Sequence, residues 1–220
     1  GGASWQATYV LPEFQNPPGS LTPVDKFYRS SGLDVTSTHQ IFWLNDHEII
    51  AANTDIGQTW SADTGQTWTF ARNTFFPWGT VANNNWYRIA AAPGGKLYAA
   101  TAEINDIYLG YRITDEQVAG NGLVLQSVDS GAHWDTLYNF GHPVVWLEAD
   151  RLLPNRLYVS VVHATEGGVF RSDDAGQSWQ ALPAPPRTDP EPPVICERRP
   201  FSPHTRGASA MFCCPAGALD

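Results

Sequence analysis

SADTGQTW at 61–68, SVDSGAHW at 127–134 and SDDAGQSW at 172–179 are three versions of one phrase, Ser-x-Asp-x-Gly-x-(Ser/Thr/His)-Trp, and GGASW at 1–5 is its shortened fourth copy. Each position has a task in a tight turn between two strands. The carboxylates of Asp63, Asp129 and Asp174 can accept backbone N–H groups across the turn, supported by Ser61, Ser127 and Ser172. Gly65, Gly131 and Gly176 supply the positive φ that a side chain resists. Trp68, Trp134 and Trp179 open the next strand, where a large ring is buried with its N–H at the margin. The phrase therefore predicts a hairpin.

Outward from the third copy, PVVWLEAD, RLYVSVVH, GGVFRSDD and SWQAL follow one another as short apolar runs separated by turn residues. They make a four-stranded unit of about 40 residues. NWYRIAAAP, KLYAATAE, GLVLQSVD and HWDTLYNF form a second such group around 127–134, and HQIFWLN, HEIIAAN, the strand near Gln58 and TWTFAR form one around 61–68.

The phrase resembles the Asp-box (BNR) repeat of sialidases, xyloglucan-cleaving glycosidases, sortilin-type sorting receptors and photosystem assembly factors. That resemblance implies an all-β chain, a partial β-propeller of four-stranded antiparallel blades with Asp-box turns. The expected organisation is an outer strand of a preceding truncated blade plus its connection at 1–34, then a blade at 35–72. A second blade spans 80–140 with a long insertion at 103–120, a third spans 143–183, and 184–220 is a Pro/Arg-rich tail that reads as disordered or non-native. Propellers close with four to eight blades. The chain therefore reads as part of a larger protein, with the remaining blades or another chain covering its open edges.

Composition narrows the partners. With 220 residues, 42% hydrophobic content and nine Trp, the chain can bury a core. A net charge of −9 without clustered Lys or Arg argues against nucleic acid. No apolar run reaches the length of about 18 residues that a membrane span needs. Cys196, Cys213 and Cys214 all lie in the tail, and the histidines, among them His133, His142 and His163, show no ligand spacing. No cofactor and no metal are expected.

With the Asp-box turns on one face of the blades, the other face collects 53–57, 72–85, 103–120, 139–143 and 163–167, where the resemblance places a ligand site. Asp55 in NTDIGQTW is the first candidate, because xyloglucan-cleaving glycosidases carry a similar Asp-(Ile/Val)-Gly-Gly phrase with a catalytic Asp, Gln58 standing here in place of the second Gly; it could instead cap a turn beside Gly57. A glycosidase needs a second carboxylate about 5–10 Å away. Glu103, Asp106, Asp115, Glu116 and Glu166 are placed on the same face.

Arg88 in WYRIAAAP resembles the arginine of the sialidase Tyr/Phe-Arg-Ile-Pro phrase, which binds the substrate carboxylate; an ordinary inner strand reads the same way. Phe75, Phe76, Trp78 and Trp86, with 83–85 as amide neighbours, suit the apolar face and hydroxyls of a sugar, or else pack between blades. Tyr108 and Tyr111 extend that surface. The candidate substrate-binding set is Trp78, Trp86, Arg88, Tyr108 and Glu103. Two functions follow: part of a secreted or periplasmic glycoside hydrolase with Asp55 as acid, base or nucleophile, or a non-catalytic propeller that binds protein or carbohydrate through the same face.

Overall fold

The computed structural model describes residues 10–21, 23, 26–29, 36–70, 83–104, 107, 120 and 122–184. Outside them lie the shortened copy at 1–5, the aromatics Phe75, Phe76, Trp78, Tyr108 and Tyr111, and the acids Asp106, Asp115 and Glu116. The three cysteines and the tail from 185 onward lie outside as well.

The described residues form three antiparallel sheets of four strands, each strand paired with the next in sequence. The first holds β1 (Thr38–Trp43), β2 (Ile49–Asn53), β3 (Gly57–Ser61) and β4 (Thr69–Phe70). The second holds β5 (Asn85–Ala91), β6 (Leu97–Ala102), β7 (Leu123–Ser127) and β8 (Asp135–Asn139). The third holds β9 (Val144–Ala149), β10 (Leu157–Val161), β11 (Gly168–Ser172) and β12 (Gln180–Ala181). The sheets pack face to face, with β5 against β1 and β2 on one side and against β9 on the other. This is an all-β partial propeller of four-stranded blades.

Burial explains the strand sequences. β2 and β6 are buried along their whole length, and both carry paired alanines, Ala51 with Ala52 and Ala99 with Ala100. Small side chains on a strand let a neighbouring blade approach it closely, and β6 has one on each side. Ile50, Trp86, Ile89, Leu125 and Trp134 fill the space between the first and second sheets, while Tyr98, Val124, Leu147 and Val159 fill that between the second and third. At the ends of the stack the pattern changes. Ile41 and Trp43 stand exposed on β1, whereas the third sheet sets Glu148, Tyr158, Arg171 and Gln180 in one cross-strand row.

The segment before the first sheet contains a short 3-10 turn, Pro12–Phe14. Its Tyr28 exchanges backbone hydrogen bonds with Trp68 at 2.7 and 2.8 Å, and Phe27 packs on Trp60. This stretch therefore lies along the first sheet.

The three β-turns joining the third and fourth strands of each sheet share one hydrogen-bond scheme. The buried Ser61, Ser127 and Ser172 hydroxyls donate to Asp63, Asp129 and Asp174 at 2.7–2.9 Å, and accept the N–H of Gly65, Gly131 and Gly176 at 2.8–2.9 Å. Each Asp then accepts the backbone N–H four residues on, from Thr67, His133 or Ser178, and its second oxygen meets the side chain of the same residue. Each Trp indole donates to the carbonyl of the turn glycine at 3.0–3.1 Å. The glycines have φ between +81° and +90°, and the preceding Thr64, Ser130 and Ala175 are also left-handed, at +59° to +60°. A non-glycine residue there costs about 1–2 kcal/mol, a strain that the converging hydrogen bonds hold in place.

Two of these turns also reach the blade before their own. Gln58 donates to the Gly131 carbonyl at 2.9 Å, and a Cβ on Gly131 would stand 2.6 Å from Ile50. A Cβ on Gly176 would stand 2.4 Å from Leu137, and Trp179 packs edge-on to Phe140 with ring centroids 5.3 Å apart.

The same bonds set an acid limit on stability. The Ser178 hydroxyl and N–H, with the Ser172 hydroxyl, lower Asp174 from 3.8 to about 2. For Asp63 and Asp129 burial pulls upward, but the groups donated by Thr67 and Ser61, or by His133 and Ser127, outweigh it and the net direction is down. A carboxylate depressed in the folded state stabilises fully above its unfolded pKa and loses that contribution as pH falls through the folded value. The urea midpoint should therefore drop as pH falls from about 4 towards about 2, and Asp174→Asn should flatten that dependence. An identical pH profile in the variant would remove Asp174 from the acid response.

Candidate functional site

The links between strands sort to two ends of the sheets. At one end the β1–β2 and β9–β10 turns meet the Asp-containing turns, with Thr64 N–H donating to His47 O at 2.9 Å and Ala175 N–H to Asn155 O at 2.8 Å. The opposite end joins the β2–β3, β6–β7 and β10–β11 links to the sheet-to-sheet connections. Gly57 donates to Asn84 O, Phe140 to Gly122 O and Val162 to Pro143 O, at 2.7–2.9 Å. This loop end carries the candidate residues.

Asp55 sits at the centre of the β2–β3 turn with φ +69°, followed by Gly57 at +72°. Aspartate tolerates this region better than most residues. Its backbone is clamped from the second sheet: its N–H donates to Asn85 Oδ1 at 3.0 Å and its carbonyl accepts from Asn84 Nδ2 at 2.7 Å. The side chain is exposed.

Asn85 is the junction. Only 1% exposed, it also donates to the carbonyls of Ala102 at 3.3 Å and Glu103 at 3.2 Å. One buried amide therefore ties the Asp55 turn to the end of β6, where Glu103 is exposed with its carboxylate over Gly120. Beyond it, Ile107 packs with Tyr87 and Ala102. The amides of Asn84 and Asn85, expected as partners for sugar hydroxyls, are spent on protein backbone.

Trp86 requires a correction. It is 2% exposed and meets Trp134 edge-on at 5.0 Å, so it is a packing residue between blades and offers no face to a sugar. Arg88 lies further along β5. Its Nη2 is 3.3 Å from Glu148, its guanidinium covers the ring of Trp146 at 4.1 Å, and Trp146 is 49% exposed. Arg88 thus joins inner strands of two adjacent blades. Trp78 and Tyr108 fall outside the described residues.

A second grouping was invisible to spacing in the sequence. His142, in the link from β8 to β9, meets His163 and Glu166 from the β10–β11 turn. His142 Nε2 is 2.8 Å from Glu166 Oε2, and the two imidazoles stack with centroids 4.1 Å apart at 27°. His163 Nδ1 accepts the N–H of Glu166 at 2.9 Å. Among the described residues this is the group of His, Cys, Asp or Glu side chains placed to hold a metal ion. The signal that could have located it is the pairing of the two loops through Val162 and Pro143, a property of the fold.

No protein-family model matches the chain, and no curated protein matches it. Among solved structures, it is similar to an ancestral GH74 enzyme, with 20% identity and a TM-score of 0.52 over 72% of this chain and 20% of that one. It is also similar to the GH74 xyloglucanase from Xanthomonas campestris, at 14% identity and TM-score 0.45 over 62% and 19% of the two chains. A third is YCF48 from Cyanidioschyzon merolae, at 14% and 0.43 over 67% and 37%. The chain spans 19–20% of the length of the two GH74 proteins. The likeness to the ancestral GH74 enzyme is one of fold.

Proposed function

We propose that this chain is part of an Asp-box propeller that binds a glycan at its loop end and, in the whole protein, hydrolyses it. Asp55 is the reacting carboxylate and Glu103 the second acidic group at the same junction. The observation that carries this reading is the buried Asn85 amide, which holds the Asp55 turn and the end of β6 together. Catalysis by two carboxylates depends on their separation staying fixed. The Asp55-Ile56-Gly57 phrase and the fold shared with an ancestral GH74 enzyme support the same direction.

The remaining blades, or another chain, cover the exposed Ile41 and Trp43 of the first sheet. No helix among the described residues is long and apolar enough to cross a membrane. A polymeric glycan does not pass a membrane, so the proposed site of action is outside the cytoplasm, in a secreted or periplasmic protein.

The test is hydrolysis of a panel of β-glucans and sialosides by the full-length protein and its Glu103→Gln variant. The variant should lose about 100-fold in kcat, the contribution expected of an acid or base, while glycan affinity and Tm stay within error. Turnover that survives the substitution would remove Glu103 from the chemistry. A second reading, glycan or protein binding without turnover, is favoured by Trp146, a half-exposed ring under Arg88 that offers a stacking surface and no reacting group. Binding of a panel member with no hydrolysis by the unaltered protein would select it.

A further inference from the structure

We propose that His142, His163 and Glu166 form a binding site for a borderline divalent metal ion such as Zn²⁺, joining the link between the second and third sheets to the β10–β11 turn. One ligand atom from each residue lies within 4.8 Å of the other two, so small side-chain rotations bring all three to a common ion. Zinc sites place imidazole nitrogen at about 2.0–2.1 Å and carboxylate oxygen at about 2.0–2.2 Å from the metal.

The donor set selects the class of ion. Two imidazoles and one carboxylate suit zinc, cobalt or nickel, whereas calcium and magnesium take oxygen ligands. Three protein ligands leave at least one coordination position open. Glu166, whose side chain is 69% exposed, faces solvent, so that position is accessible to water or to a ligand's oxygen or nitrogen.

Two features distinguish this cluster from a chance surface grouping. The His142 side chain is only 15% exposed, and its Nδ1 is buried with no hydrogen-bond partner. The backbones carrying both histidines are also fixed by glycines that admit no side chain. A Cβ on Gly122 would fall 1.6 Å from His142 O, and one on Gly167 would fall 2.3 Å from His163 O. The hydrogen bond from Val162 N–H to Pro143 O, 2.9 Å, locks the two loops in register. The ligands are therefore supplied by segments that are already in place, which lowers the ordering cost of binding.

Ion binding changes the local contacts in a defined way. The His142–Glu166 hydrogen bond is replaced by two metal bonds, and the stacked rings fan apart so that their in-plane lone pairs converge. His163 reorganises most, because its Nδ1 lone pair accepts the N–H of Glu166 and lies 3.3 Å from that of Thr165. That competition, and the count of three protein ligands, make the site weaker than a four-ligand structural zinc centre.

The test uses the tag-free full-length chain, stripped of metal by dialysis against a chelator and titrated with CoCl₂ and ZnCl₂. Co²⁺ is followed by its visible d–d bands, Zn²⁺ by calorimetry and Tm. The unaltered protein should take up one equivalent, with Tm rising as Zn²⁺ exceeds its Kd. His142→Gln, His163→Gln and Glu166→Gln should each weaken binding about tenfold or more, at least the loss that follows removal of a supporting outer-shell group. His47→Gln, at the opposite end of the sheets, should leave it unchanged. If the half-buried His142→Gln fails to fold, the exposed Glu166→Gln decides the outcome, with circular dichroism confirming its fold. Absence of saturable binding to the unaltered protein, or binding unaffected by Glu166→Gln, would overturn the site.

Discussion

Alanine in place of Gly122 is expected to cost about 3 kcal/mol of stability, the upper range for forcing atoms into a packed site. The added Cβ would stand 1.6 Å from the His142 carbonyl oxygen, 2.4 Å from its carbon and 2.9 Å from Pro143 Cα. All three are backbone atoms, so no rotamer change relieves the overlap. The link at 140–143 would have to withdraw, breaking the Phe140 to Gly122 hydrogen bond of 2.9 Å and carrying His142 away from His163. Gly141→Ala is the control, since a Cβ there meets nothing within 4 Å and only its φ of +71° opposes the change. Urea unfolding should show Gly122→Ala as clearly the more damaging of the two. Equal losses would mean that the 140–143 link yields to the added Cβ at little cost, and close approach would no longer explain the glycine at 122.

On the proposed reading of Asp55 as the reacting carboxylate, Asp55→Asn in the full-length protein should lower the hydrolytic kcat by about 10³, or about 4 kcal/mol in the barrier, within the range for removal of a general acid or base. The substitution isolates chemistry from structure. Asp55 is held through its N–H and carbonyl by Asn85 and Asn84, and these bonds do not involve the carboxylate. Asparagine also accepts the left-handed conformation at φ +69°. Stability should stay within about 0.5 kcal/mol, as for a surface change that leaves the backbone alone. Full activity in the variant would reduce Asp55 to a turn residue beside Gly57.

The three Ser-x-Asp-x-Gly-x-x-Trp phrases made the blades legible, because each names its acceptor, its left-handed glycine and a Trp whose indole closes the turn within eight residues. They did not reveal that Thr64, Ser130 and Ala175 share the left-handed backbone, since three different side chains give no common signal. Which of the two readings of Trp86 holds is hidden for a related reason. A register shift between Trp86 and Arg88 breaks the alternation of β5, so Trp86 and Tyr87 are both buried. A bulge of this kind is set by pairing with β6 and leaves no mark in composition.

The candidate site divides in the same way. Asp55 stood out through its neighbours in sequence, but the role of Asn85 depends on three hydrogen-bonded segments meeting at one amide. His142 is separated from His163 and Glu166 by two whole strands, β9 and β10. Linear spacing carries no information about such a meeting, which exists only once the sheets are formed.

The backward reach of the turns at Gly131 and Gly176 gives the fold a direction of growth. The second turn closes on Ile50 and Gln58 of the first sheet, and the third on Leu137 and Phe140 of the second. A blade leaving the ribosome thus finds its seat already built by the blade ahead of it, and synthesis from the N-terminus supplies the sheets in that order. Trimming from the C-terminal side uncovers the seat itself, Leu137 and Phe140 with Tyr98 and Val124. Trimming from the N-terminal side instead leaves a glycine turn and its tryptophan facing water, so the two cuts expose surfaces of different kinds: a vacated seat at one end and an unseated turn at the other.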